Sequence, residues 1–308
     1  MSQYRHLLVL LTDVDPHSAA LRRGLALAHA SGASVHVLGL FEPSEAHLLR
    51  EERLNEADIK RQYDHYREQL RTLVERHRGS GVALTVDSLA ADDIRSEAIE
   101  YISELQPDMV IKDSEAASAM ARLFGTPLDC ALMRGFKGLT LFVPMAAVSL
   151  PRRVLVAVDT SFSETPAVQE QFNRGLIRVA QALALQCDAQ LHLLSAYNMV
   201  GVFAADISVT QAWVEEMREA LQEPFNTLAE AEGVAPDRRH FMEGGPVQVI
   251  REQVATLEVD AVVMGVVQPK GLDKLLGDTT ERIVGHPPCS VLAVHPSVFE
   301  AQEPWPCN

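Results

Sequence analysis

The sequence predicts an α/β fold, doubled within one chain. Three observations carry that reading. Short apolar runs such as HLLVLLT at 6–12 and LTLFV at 139–143 alternate with longer stretches of helical spacing. Strands separated by helices of about ten or more residues point to parallel βαβ units. The same order of elements then returns in the second half, and a chain of 308 residues suits about two domains.

In order, 6–12 is a first buried strand, and DVDPHS at 13–18 is a turn with helix-start chemistry. ALRRGLALAHA then places Leu21, Leu25 and Ala28 at helical spacing and stops at Ser31-Gly32. A second strand covers 33–40, ASVHVLGL. The polar stretch from about 44 to 78 has Leu70, Leu73 and Val74 on one side and predicts one extended amphipathic helix. A third strand falls at 82–86, a helix at 94–105 and a fourth strand at 108–112. A helix through 129–134 leads to the fifth strand, 139–143. The segment PMAAVSLP at 144–151 reads as a linker.

After the linker the pattern repeats. VLVAVDTS at 154–161 answers LLVLLTDV at 7–14, a shift of 147. AQLHLLSA at 189–196 answers ASVHVLGL at 33–40, a shift of 156, and VDAVVMG at 259–265 answers PDMVIKD at 107–113, a shift of 152. Three anchors in one order argue for a duplicated domain. The expected domains are 1–146 and 152–297, packed as an internal pseudo-dimer, with 298–308 as an extended tail.

Composition sets the class. Hydrophobic residues make up 47% and charged residues 22%, an ordinary globular balance. A net charge of −15 argues against broad contact with nucleic acid or anionic membranes. No apolar run reaches the roughly 18 residues that suggest a spanning helix, and the N-terminal LLVLL is too short for a signal peptide core. Cys130, Cys187, Cys289 and Cys307 lack metal-ligand spacing and read as free thiols. The expectation is a cytoplasmic protein with no membrane insertion.

The stretch from 259 to 280, VDAVVMGVVQPKGLDKLLGDTT, holds the candidate site. A buried strand ends at Gly265, a glycine-bearing loop follows, and a polar helix start comes at Gly277-Asp278-Thr279-Thr280. A strand, a glycine loop and a helix N-terminus together suit a phosphate, although loop glycines alone are also consistent with tight turns.

RVLVAVDTS at 153–161, EGGPVQVI at 243–250 and the segment 262–296 together resemble the universal stress protein family, in its tandem-domain branch. The resemblance implies five parallel strands per domain in the order 3-2-1-4-5, with the halves associated through their last strands. It implies a nucleotide site at Asp159, Gly265, Gly277, Thr279 and Thr280, with ATP as the candidate ligand. Against the family's nucleotide pattern, Gln268 replaces the second glycine, Gly277 comes one residue early, and Asp278 adds a carboxylate. In the first half Asp113, Ala116 and Ala119 stand for Gly265, Gln268 and Gly271, and Thr12 stands for Asp159. The first half is therefore read as degenerate and the second as partly retained.

Other constellations are weaker. No GxSxG, GxGxxG, HExxH or GK(S/T) motif occurs, so no catalytic residue and no metal ligand is assigned. His36 and His192, at equivalent places, read as half-buried histidines with ordinary partners. Asp92-Asp93 reads as helix-start acid. YNMVGVFAADISV at 197–209 would cap a core or line a cavity for an apolar ligand. The leading expectation is a non-catalytic stress-response protein with weak or vestigial binding of a nucleotide or other small ligand in its second half. The alternatives are an ATP-binding member with slow hydrolysis or ATP-dependent switching, and an apolar-ligand carrier or protein scaffold. Internal domain pairing and a homodimer are the expected assemblies.

Overall fold

The computed structural model describes residues 4–42, 56–114, 128–161, 165–198, 211–266 and 279–300. Its contacts divide the chain into two units, 1–150 and 151–308. In the first unit, β1 (His6–Leu11), β2 (Ser34–Phe41), β3 (Leu84–Ala90), β4 (Met109–Asp113) and β5 (Leu139–Val143) lie in the order β3-β2-β1-β4-β5. In the second, β6 (Arg153–Val158), β7 (Gln190–Tyr197), β8 (Arg239–Glu243), β9 (Ala261–Gly265) and β10 (Ser290–Val294) lie in the order β8-β7-β6-β9-β10. The pairings within each unit are parallel. Each sheet thus has the 3-2-1-4-5 order that the resemblance implies. The third strand falls at 84–90 rather than 82–86, because β2 continues to Phe41 and keeps Ala90 as its partner.

Helices α1 (Ala19–Ser31), α2 (Glu56–Glu75), α3 (Ile94–Leu105) and α4 (Leu128–Gly135) connect the first five strands. Right-handed crossovers put α3 and α4 on one face of the sheet. There Ile94, Ala98, Ile102, Leu132 and Phe136 pack against Leu8, Leu10, Leu38, Leu40 and Val110. The caps follow from the local sequence. The Ser18 side chain accepts from the Leu21 N–H at the start of α1, and Gly32 ends it at φ +74°. Asp93 caps α3 by accepting from the Ser96 N–H. Of the amphipathic helix expected over 44–78, α2 covers 56–75, and 43–55 lie outside the described residues. The 144–151 segment is not a free linker along its length. Arg22 donates to the carbonyls of Met145 and Ala147, and the buried Arg23 donates to that of Val148.

In the second unit the helices are α5 (Pro166–Cys187), α6 (Gln211–Ala231), α7 (Pro246–Thr256), α8 (Thr279–Val284) and α9 (Ser297–Glu300). The repeat shows in a shared device at the start of each central strand. Asp108 accepts from the N–H groups of Arg5 and His6 at 2.7 and 2.8 Å. Asp260, 152 positions on, accepts from Arg152 and Arg153 at 2.8 and 3.1 Å. The first helix of each unit breaks the repeat. α1 has 13 residues and α5 has 22, about 20 Å against about 33 Å. The extra length lies at the N-terminal end of α5, beside the strand ends where the candidate site falls.

Candidate functional site

The open end of a doubly wound sheet is the carboxyl side of its strands, beside the central strand. In the second unit that place is formed by the ends of β6 and β9. Gly265 closes β9, and its carbonyl accepts the Thr280 hydroxyl at 2.7 Å. Thr280 is buried and Thr279 half-buried in the first turn of α8. The structure therefore brings Gly265 and Thr280 together. Gly277, with Gln268 and Asp278, lies outside the described residues, as does 199–210, which holds most of the apolar stretch 197–209.

Asp159 follows β6 and is exposed. Its carboxylate is folded onto its own turn, where Oδ1 accepts from the Ser161 N–H at 2.9 Å and the Ser161 hydroxyl at 2.5 Å. Its carbonyl accepts from Asn173 Nδ2 at 2.6 Å and Gln169 Nε2 at 2.7 Å. Both donors belong to the extended part of α5. The neighbouring residue on that helix, Phe172, lies against Gly265. A Cβ at 265 would sit 2.4 Å from Phe172 Cε1 and Cζ, far inside contact distance. Phe172 in turn meets Phe299 of α9 edge-on, with centroids 5.6 Å apart. Gly265 is thus closely packed by a protein ring, independently of any approaching phosphate.

Sequence reasoning missed Gln169, Phe172 and Asn173. The available signal was the helical run from Pro166, in which Phe172 and Leu176 share a face and which begins well before its counterpart in the first half.

The first unit closes the same place by other means. The Asp113 carboxylate accepts the Ser18 hydroxyl at 2.6 Å and the Ala20 N–H at 2.7 Å, at the head of α1. Beside it Lys112 Nζ meets Asp129 Oδ1 at 3.0 Å and donates to the Asp113 carbonyl at 3.0 Å. The Lys112 side chain is 1% exposed. The positive end of α1 therefore already holds a carboxylate of the same chain.

The two equivalent histidines have protein partners. His36 bonds Thr85 Oγ1 at 2.7 Å and Tyr101 Oη at 2.9 Å. His192 Nδ1 lies 3.1 Å from His240 Nε2, between β7 and β8. Burial, then His240, then the Arg238 and Arg153 cations hold His192 below the ordinary histidine value, with Asp237 opposing. Burial also lowers His240 and His36. Among the described residues no group of three or more His, Cys, Asp or Glu is placed to hold a metal. No helix among them is long and apolar enough to cross a membrane.

The family model described as "Universal stress protein family" matches residues 3–132 and again 151–295. The chain belongs to the universal stress protein family. As a tandem member of that family it is similar to Universal stress protein E of Photorhabdus laumondii, at 22% identity over 97% of this chain and 98% of that one. Universal stress protein E of Escherichia coli K12 is also 22% identical, over 97% and 96%. The Universal stress protein E homolog of Haemophilus influenzae is 29% identical over 64% of this chain, and the alignment spans 65% of its own length. Among solved structures, a functionally unknown protein from Pseudomonas aeruginosa PAO1 aligns at TM-score 0.72 and 20% identity, covering 97% of this chain and 95% of that one. A universal stress protein from Archaeoglobus fulgidus aligns at 0.66 and 18%, covering 94% and 96%. At these identities the structural likeness speaks for the fold. The family name places the chain in the stress response.

Proposed function

We propose that this universal stress protein is non-catalytic and that its second unit alone keeps a small-ligand crevice, holding an adenine nucleotide weakly. The observation that carries the reading is the contrast at one repeated position. Where the first unit has Asp113, with its carboxylate bonded into α1, the second has Gly265, with no side chain and the Thr280 hydroxyl on its carbonyl. An anionic ligand would meet a fixed carboxylate in the first unit and an uncharged backbone edge in the second.

Weak binding follows from the surroundings. Phe172 fills the space on one side of Gly265, and Asp159 spends both hydrogen bonds of Oδ1 on Ser161. A lost hydrogen bond of about 1.4 kcal/mol weakens binding roughly tenfold. Titration calorimetry of the full chain with Mg-ATP tests the reading. The expected result is a dissociation constant weaker than about 100 μM, which corresponds to about −5.5 kcal/mol, and no turnover. Tighter saturable binding, or steady ADP release, would favour the ATP-dependent alternative.

A further inference from the structure

We propose that β8 is a self-complementary edge through which two copies of this chain pair antiparallel about Phe241. Among the described residues β8 pairs with β7 alone, on one border of the second sheet. The Gly244 N–H donates to the Tyr197 carbonyl. Backbone groups alternate along a strand, so those of His240 and Met242 also point toward β7, and those of Phe241 and Glu243 point outward together with the Arg239 carbonyl, while the Arg239 N–H donates to the Pro236 carbonyl. The strand reads RHFME. Laid antiparallel on a copy of itself about Phe241, it sets Arg239 opposite the copy's Glu243 at each end. The N–H groups of Phe241 and Glu243 then meet the carbonyls of Phe241 and Arg239 on the copy, allowing about four backbone hydrogen bonds. Shifting the register by two residues loses both Arg–Glu pairs and some of those bonds.

The side chains fit the same register. Arg239 is held by the Val234 carbonyl at 2.9 Å and by Glu230 at 3.3 Å, which fixes its charge beside the edge. Glu243 is exposed, and Met242 is an exposed large apolar residue. Phe241 stacks on Tyr197 at 4.4 Å and meets Phe225 of α6 at 5.4 Å, so the strand at the two-fold axis is rigidly backed. A groove of about 470 Å³ runs along the strand between Phe225, Asn226, Pro236, Arg239 and Phe241. It leaves room for side chains of the added strand.

The border strand of the first unit shows the contrast. Antiparallel pairing of β3 about its centre would oppose Asp87 to itself. The Tyr63 hydroxyl of α2 also bonds the Ser88 carbonyl, covering part of that edge. One border is protected against pairing and the other is matched to it.

Sedimentation equilibrium of the full chain, from about 1 to about 200 μM in about 0.15 M salt, reads the self-association. The expected result is a reversible monomer–dimer equilibrium. Glu243→Lys weakens it at least tenfold, and the charge swap Arg239→Glu with Glu243→Lys restores it to within about threefold. Hydrogen exchange at the outward Phe241 amide slows as concentration rises in the wild type and not in Glu243→Lys. A wild type that stays monomeric at about 200 μM overturns the proposal. So does a dimer that Glu243→Lys leaves unchanged, because its contact then lies elsewhere. If the double variant misfolds by circular dichroism, the single variant and the Phe241 amide decide.

Discussion

The Ser18 hydroxyl donates to the Asp113 carboxylate at 2.6 Å, joining the head of α1 to the end of β4 across 95 positions of sequence. The same carboxylate accepts the Ala20 N–H, one of the orphan donors that every helix start must satisfy. Asp113→Ala removes both bonds and a favourable charge at a helix N-terminus. The expected loss is about 1–2 kcal/mol, while Asp113→Asn, which keeps an acceptor, costs less. Urea unfolding of the two variants checks the order. Equal midpoints for Ala and wild type would show that the carboxylate contributes nothing.

At the repeated position in the second unit, Gly265→Ala drives a methyl group into the Phe172 ring. Overpacking of this kind costs about 1–3 kcal/mol. Phe172→Ala makes room, so the two changes together should cost less than the sum of each alone, which a double-mutant cycle measures. The same Phe172→Ala variant is expected to bind Mg-ATP more tightly than wild type in calorimetry, because it widens the crevice. Additive costs would mean that the ring yields freely.

Much of the fold was legible because its causes are local. HLLVLL, LTLFV and AVVMG read as buried strands from their length and unbroken apolar character, and Asp93 and Gly32 mark helix ends by chemistry that needs no distant partner. The candidate site was legible in part. Gly265 and Thr280 could be placed at one strand end, but the reason for the glycine could not. That reason is a ring 93 positions earlier, and no periodicity connects 172 to 265. From the sequence, Asp113 puts a negative charge where Gly265 stands in the second half. Its bonds to Ser18 and Ala20 depend on how β4 meets α1, which only the packed sheet determines.

The His192–His240 pair makes the second unit sensitive to acid. Both imidazoles have folded values below their unfolded value of 6.5, chiefly through burial. Groups lowered in this way stabilise the fold fully above about pH 6.5, and that contribution is lost as pH falls through the depressed folded values. Hydrogen exchange in urea at the amides of β7 and β8 follows that unit. Its urea midpoint should fall between pH 7.5 and pH 5.5, and His192→Leu should flatten the dependence. An unchanged slope in that variant would assign the acid sensitivity to other groups. His36 is shifted in the same direction in the first unit, which exchange at β7 and β8 does not report.

Lys112 and Asp129 form a buried pair where the second unit has Met264 and Glu281 at the 152-residue shift. The repeat itself supplies the substitution that tests the pair. Lys112→Met installs the apolar residue that β9 carries at this position, but it leaves the Asp129 carboxylate buried without its cation. Breaking one side of a buried pair costs about 3–5 kcal/mol, whereas replacing both sides by apolar residues of similar size is often nearly neutral. Lys112→Met with Asp129→Leu should therefore recover most of the stability lost in Lys112→Met alone, measured by urea unfolding of the first unit with circular dichroism. If the double variant is no better than the single one, Asp129 is sustained by bonds other than the Lys112 ammonium, and the pair is not what closes this end of the first sheet.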